Sequence, residues 1–145
     1  MIKNDYISNL IKADKIKHTV DKSINFQFQI GSKTIGKEKI LIAGPCSVES
    51  KEMITNISLK LKEIGVDALR GGAYKPCTYP ITEAIGNWKE GLREDGLRYL
   101  LTAKQESGLP IVSEIMDVNQ INQLSMDTID YIQVGTRNFQ NYSLL

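Results

Sequence analysis

A single histidine, His18, and two cysteines, Cys46 and Cys77, are all the imidazole and thiol ligands that these 145 residues contain. Two cysteines without a framework spacing exclude a disulfide-stapled scaffold and suit a reducing cytosol, so the expected location is cytoplasmic. No apolar run approaches the ~20 residues that cross a bilayer, and the N-terminus lacks the uninterrupted apolar segment of a signal peptide. Excess charge of one sign is missing too. A net charge of +1, with 24% charged and 41% hydrophobic residues, is an ordinary soluble globular profile, and neither nucleic acid nor a membrane is implied as a partner. The Lys-rich stretch from Lys12 to Lys22 reads as a solvated face, with His18 as a surface residue within it. There is no low-complexity segment, and no repeat beyond an alternation of strand and helix.

That alternation starts at residue 39. Short apolar runs at 39–43, 66–70, 110–114 and 131–134, bounded by Gly and Pro, predict strands buried on both faces, as in parallel sheets. Between them, Ile54, Ile57, Leu61 and Ile64 recur at helical spacing, with Ser50 as N-cap and Gly65 as stop. Leu97, Leu100, Leu101 and Lys104 mark a second helix over 93–107, ended by Gly108 and Pro110. A third, shorter helix is expected after an Asp117 cap, carrying Val118, Ile121 and Leu124 inward, and residues 140–145 read as the opening of a fourth.

Such an order specifies an α/β fold with a parallel sheet and right-handed crossovers, either open and doubly wound or a (β/α)8 barrel of the TIM type. A barrel of about 250 residues spends roughly 30 on each unit, so this chain reaches only its fourth. Residues 1–38 differ in character. Alternation through Ile24, Phe26, Phe28 and Ile30, a turn at Gly31-Ser32 and resumption at Thr34-Ile35 predict a β-hairpin that plugs the bottom of a barrel or covers its edge. The expected organisation is an N-terminal extension, 1–38, and a half-barrel, 39–145.

Ligands of parallel sheets bind beyond the carboxyl ends of the strands. Cys46, Arg70, Lys75, Glu114 and Arg137 all fall there. Two guanidinium forks and an ammonium suit phosphate or carboxylate groups, so an anionic small molecule is the expected ligand. Each residue also has a plainer reading. Cys46 can be a small buried apolar residue, Arg70 and Arg137 can be structural ion-pair partners, and Glu114 can neutralise Lys75 or Arg70. Cys77 reads as a loop cysteine, able to pair with Cys46 on oxidation if both face one mouth.

Four ordered segments carry a resemblance: Ile42-Ala-Gly-Pro-Cys-Ser-Val-Glu-Ser50, Leu69-Arg-Gly-Gly-Ala-Tyr-Lys-Pro76, Gly108-Leu-Pro-Ile-Val-Ser-Glu-Ile-Met-Asp117 and Ile132-Gln-Val-Gly-Thr-Arg-Asn-Phe-Gln-Asn141. Together they resemble the 3-deoxy-7-phosphoheptulonate (DAHP) synthase family, from about residue 25 onward. The resemblance implies a TIM-type barrel, here its first four β/α units. It also implies a metal-dependent, aldol-like condensation of phosphoenolpyruvate with erythrose 4-phosphate, the first step of the shikimate route to aromatic amino acids. By motif, Cys46 is similar to the family's thiolate ligand for a divalent ion of the Mn, Fe, Zn or Co type. Arg70 and Arg137 match phosphoenolpyruvate-binding arginines, and Lys75 matches the lysine between the two substrates. Pro76 and Thr78 match positions lining the sugar-phosphate site, and Glu114 an acidic residue near the reacting centre.

The sequence also departs from that family. Lys75-Pro76-Cys77-Thr78 stands where members read Lys-Pro-Arg-Thr, so a charge-assisted contact of about 1.5–3 kcal/mol to the aldehyde's phosphate is missing. Lys89 and Arg93 are candidate substitutes. The family's other metal ligands, a His, a Glu and an Asp from later strands, have no counterpart in this chain, so the isolated fragment is expected to be inactive. Two alternatives stand beside this reading: a related synthase such as 3-deoxy-manno-octulosonate 8-phosphate synthase, which reads Lys-Ala-Asn-Arg at 75–78, and a non-catalytic half-barrel that binds a metabolite or partner. A four-stranded parallel sheet has two unpaired edges, so a homo-oligomer or a completing chain is expected.

Overall fold

The computed structural model describes residues 27–76, 91–124 and 127–145. Strand β1 (Phe28–Ile30) and strand β2 (Lys33–Ile35) pair antiparallel, Ile30 opposite Lys33. Gly31 between them takes a φ of 57°, the left-handed conformation that such a tight turn needs. Ile24 and Phe26, the first half of the expected alternation, lie outside the described residues.

Four parallel strands follow: β3 (Ile42–Ala43) and β4 (Ala68–Arg70) start later than the apolar runs that hold them, β5 (Ile111–Ile115) is shifted by one residue, and β6 (Tyr131–Val134) has the expected bounds. They lie in sequence order, each pairing parallel with the next. Helix α1 (Lys51–Glu63) begins where the Ser50 hydroxyl accepts the Met53 N–H, and Gly65, at φ 81°, follows its end. Helix α2 (Arg93–Ser107) has the expected bounds, and Gly108 caps it in the left-handed region with its N–H on Lys104 O.

The two helices pack against each other and against one face of the sheet. Ile54, Leu97 and Leu100 meet Leu69, Ile111 and Ile115 there, with Val48 and Ala73 filling the space between. The expected stripe of α1 is corrected at its end: Ile64 is 72% exposed, and the buried partner of Ile54 is Ser58. Ser58 can be buried because its hydroxyl donates to Thr55 O at 2.7 Å within its own helix. On α2 the buried line runs Leu97, Leu100, Ala103 and Ser107, while Leu101 and Lys104 are only half-buried.

Among the described residues, neither the helix expected after Asp117 nor the one expected from residue 140 forms. Asp117 does cap, with Gln120 completing a capping box, but the result is one 3-10 turn, Val118–Gln120. Val118 and Ile121 stay exposed and only Leu124 turns inward, because Asn119, Gln120, Asn122 and Gln123 leave no continuous apolar stripe. After a second 3-10 turn, Thr136–Asn138, residues 139–145 continue as turns. There the Asn141 side chain accepts the Leu144 N–H and donates to Asn138 Oδ1, a local bonding that competes with helix.

The opposite face of the sheet is divided by height. Its lower part, Ala68 and Val112, is covered by Ile30 of the hairpin, with Ile35, Ile40 and Tyr131 around it. Two polar contacts pin the hairpin there, and a third holds the carboxylate that makes one of them. Tyr131 Oη donates to Gln29 O at 2.7 Å, Lys33 Nζ reaches the Asp67 carboxylate at 2.9 Å, and Asp67 also accepts the Leu41 N–H at 2.8 Å. Burial on both faces holds for β5 and nearly for β4, but not for the outer strands: Ile42 of β3 and Ile132 and Val134 of β6 are exposed by 40% or more. Among the described residues no helix is long and apolar enough to cross a membrane.

The Leu41 N–H, and then the Lys33 ammonium, hold the Asp67 carboxyl below the usual carboxylate range. A folded pKa below the unfolded one adds stability that is full above the unfolded value and is lost as pH falls through the folded value. Thermal midpoints measured down through the acid range should therefore fall more steeply for the wild type than for Asp67→Asn. Parallel curves would remove this carboxylate from the hairpin's anchorage.

Candidate active site

Side chains alternate along a strand, so Ala68 and Arg70 of β4 share one face, as do Val112 and Glu114 of β5 and Tyr131 and Gln133 of β6. The register sets Val112 beside Tyr131 and Glu114 beside Gln133. Arg70 starts beside Val112, and its long side chain reaches up to Glu114 and Gln133, so the three form a polar group above the apolar level under the hairpin, at the carboxyl ends of the strands.

Arg70 is the centre of that group. Its Nη2 lies 3.3 Å from Glu114 Oε2, its Nε donates to Gln133 Oε1 at 3.1 Å, and its Nη1 donates to the carbonyls of Pro45 at 3.1 Å and Cys46 at 2.6 Å. Glu114, 3% exposed, is shared with a second cation: Arg137 Nε, from the turn after β6, lies 3.5 Å from Oε1. Glu114 Oε1 accepts no hydrogen bond, so this contact is electrostatic only. A cleft of about 530 Å³ lined by Glu114, Gln133, Gly135, Thr136 and Arg137 opens beside it.

Glycine makes the close approach possible at two points. A Cβ on Gly135 would fall 1.8 Å from Glu114 Oε1, and one on Gly72 would fall 2.5 Å from Cys46 O. The loop after β4 is also held from below, where the buried Ser113 hydroxyl donates to Gly71 O at 2.8 Å and receives the Ala73 N–H at 3.5 Å.

Of the residues singled out in the sequence, Arg70, Glu114 and Arg137 come together. Glu114 pairs with the two arginines, and no such pair joins it to Lys75. Lys75 and Pro76 line a neighbouring cleft of about 450 Å³ with Tyr74, Arg93 and Gln123, and the Lys75 ammonium donates to Pro76 O at 3.1 Å. Cys46 is exposed, which rules out its reading as a small buried residue; its carbonyl touches Arg70, and its thiol is free. Thr78, Cys77 and Lys89 lie outside the described residues.

A divalent ion takes about three protein ligands at a catalytic site. Among the described residues no three His, Cys, Asp or Glu side chains gather to hold one. Cys46 can supply one sulfur, and the described residues do not fit such an ion by themselves.

Sequence reasoning missed Gln133 and Ser113. Strand parity would have found Gln133, a polar residue two places after Tyr131 in an otherwise apolar run. Ser113 gives no such signal, because its partners are backbone groups of a loop some forty residues away.

The model of the DAHP synthetase I family matches residues 16–145. A phospho-2-dehydro-3-deoxyheptonate aldolase of Thermotoga maritima is 43% identical over 105 residues, 72% of this chain and 29% of that protein. A 2-dehydro-3-deoxyphosphooctonate aldolase of Campylobacter jejuni subsp. doylei is 31% identical over 99 residues, 68% of this chain and 37% of that protein. The crystal structure of the Thermotoga maritima phospho-2-dehydro-3-deoxyheptonate aldolase (DAHP synthase) superposes with a TM-score of 0.71 at 38% identity, covering 86% of this chain and 34% of the other. The chain thus spans about a third of the length of these curated relatives.

Filling the space beside Glu114 should be costly. Gly135→Ala is expected to lower stability by about 1–3 kcal/mol through overpacking against the carboxylate, read by urea denaturation. A wild-type midpoint would mean that Glu114 has room to move.

Proposed function

Because the chain belongs to the DAHP synthetase I family, we propose that it forms the phosphoenolpyruvate-binding part of a 3-deoxy-7-phosphoheptulonate synthase. Such a transferase condenses phosphoenolpyruvate with erythrose 4-phosphate at the head of the shikimate pathway, in the cytoplasm. The observation that carries this reading is the convergence of two guanidinium groups, Arg70 and Arg137, on one buried carboxylate at the carboxyl ends of the strands. Two guanidiniums offer more N–H donors than one carboxylate can accept, and the surplus suits the phosphate and carboxylate of phosphoenolpyruvate.

In this scheme Arg70 and Arg137 hold the two anionic groups, which fixes the enol carbon relative to the protein. Glu114 orients both guanidiniums and offsets part of their charge, so that neither swings away when the cleft is empty. Lys75, which lines the neighbouring cleft, is proposed to serve both substrates, with Pro76 and Thr78 bordering the sugar phosphate. Cys46 is proposed as one thiolate ligand of a divalent ion whose other ligands come from outside the described residues. The higher identity to the heptonate enzyme, 43% against 31% for the octonate enzyme, supports erythrose 4-phosphate as the aldose.

Residues 39–145 are proposed as the first four units of a (β/α)8 barrel, with 1–38 as an extension whose hairpin closes its base. The exposed apolar residues of β3 and β6 would then be covered by a second copy or by a completing chain.

Calorimetric titration tests the site. Arg70→Ala and Arg137→Ala should each weaken phosphoenolpyruvate binding by tenfold or more, as expected for loss of a charge-assisted contact of about 1.5–3 kcal/mol. Unchanged binding in both variants would reduce these arginines to structural ion-pair partners. The 145-residue protein mixed with both substrates and manganese should not consume phosphoenolpyruvate; turnover abolished by a chelator would show that self-assembly completes an ion site.

A further inference from the structure

Arg93 is the only residue other than glycine with a positive φ among the described residues. At φ 53° it occupies the left-handed region, where a long side chain is disfavoured and glycine is at ease. Strain of this kind persists where surrounding contacts impose it, and it gathers at functional sites. The contacts are visible. Gly91 N–H donates to Lys75 O and Arg93 N–H to Ala73 O, both at 2.8 Å, so the segment entering α2 is clamped along the loop that carries Lys75. A Cβ on Gly91 would fall 2.2 Å from Ala73 O, so the two backbones are in direct contact.

The clamp sets Arg93 in the wall of the cleft that Lys75 and Pro76 line. Its charge is felt inside. Burial and then Glu94 push the Tyr74 hydroxyl's pKa up, and Arg93 opposes them. Two carboxylates, Glu94 and Asp117, border the same cleft. Asp117 is already engaged, its Oδ1 accepting the backbone N–H and the side-chain amide of Asn119 at 2.8 Å. A guanidinium has five donors, so a contact with a neighbour leaves others for a ligand.

We infer that Arg93, with Lys75, grips the phosphate of the aldehyde substrate, in place of the guanidinium that the residue at 77 does not provide. This rests on the proposed condensation for the identity of the ligand, and adds the residue that selects a phosphorylated aldose over a neutral one. Arg93 is a specificity-determining residue, and the left-handed backbone is the cost of having an arginine where the clamp favours glycine.

The test is Arg93→Gly in the full chain, a substitution that relieves strain and so keeps the protein folded. Titrations with erythrose 4-phosphate in the presence of phosphoenolpyruvate, with unphosphorylated erythrose, and with phosphoenolpyruvate alone are compared with the wild type. The expected result has three parts. The thermal midpoint rises, affinity for erythrose 4-phosphate falls about ten- to a hundredfold, and affinities for erythrose and phosphoenolpyruvate stay as they were. Undiminished binding of erythrose 4-phosphate by Arg93→Gly, or none by the wild type, overturns the inference while the arginine pair at the other cleft stands. Phosphoenolpyruvate binding that ignores both Arg70→Ala and Arg137→Ala is the separate result that overturns the site reading itself.

Discussion

The Arg70 guanidinium is shared among the Glu114 carboxylate, the Gln133 amide and the carbonyls of Pro45 and Cys46, so one side chain joins material from all four parallel strands. A charge held in a half-buried position is stable only when its donors are used, and here they are used by groups from β5, from β6 and from the loop after β3. Much else follows from accommodating it. Gly72 and Gly135 lack side chains because the backbone beside Cys46 and the carboxylate of Glu114 fill the space that a Cβ would take. Ser113 is buried behind the same level to hold the loop that follows Arg70.

Glu114 is the hinge of the arrangement in an electrostatic sense. Removing two charges from water is seldom a net source of stability, so a carboxylate this buried between Arg70 and Arg137 speaks more for positioning than for holding the fold together. One of its oxygens lacks a hydrogen bond and faces a cation at 3.5 Å. That leaves the Arg137 side with spare donors toward the open cleft, where an incoming anion would complete the bonding.

The hairpin and the two helices treat the sheet asymmetrically, and the asymmetry separates structure from chemistry. Helices α1 and α2 cover one face over β4 and β5 with aliphatic side chains, while Ile132 and Val134 of β6 stay exposed. On the other face the hairpin covers only the lower level, where Ala68 and Val112 are apolar, and stops below Arg70, Glu114 and Gln133. The polar level stays accessible at the carboxyl ends, and the segment before α2, clamped to the Lys75 loop, borders it as a second cleft.

Much of this was legible in the chain itself. Both helices could be placed from their apolar spacing and caps, the hairpin turn from Gly31-Ser32, and the strand ends from Gly and Pro, because these signals act within a few residues of one another. The four ordered motifs identified the family for the same reason, each being a local string. What failed were statements about burial: Ile64, Val118 and Ile121 are as apolar as Ile54 but stay exposed, and the outer strands β3 and β6 stay exposed where β5 is enclosed. An ion pair of Glu114 with Arg70 was one of the readings the sequence left open, but its sharing with Arg137 and the bond from Arg70 to Gln133 were not among them. These depend on strand register and on backbone contacts between segments far apart in sequence, and only the folded sheet decides which side chains share a face and which charges meet across it.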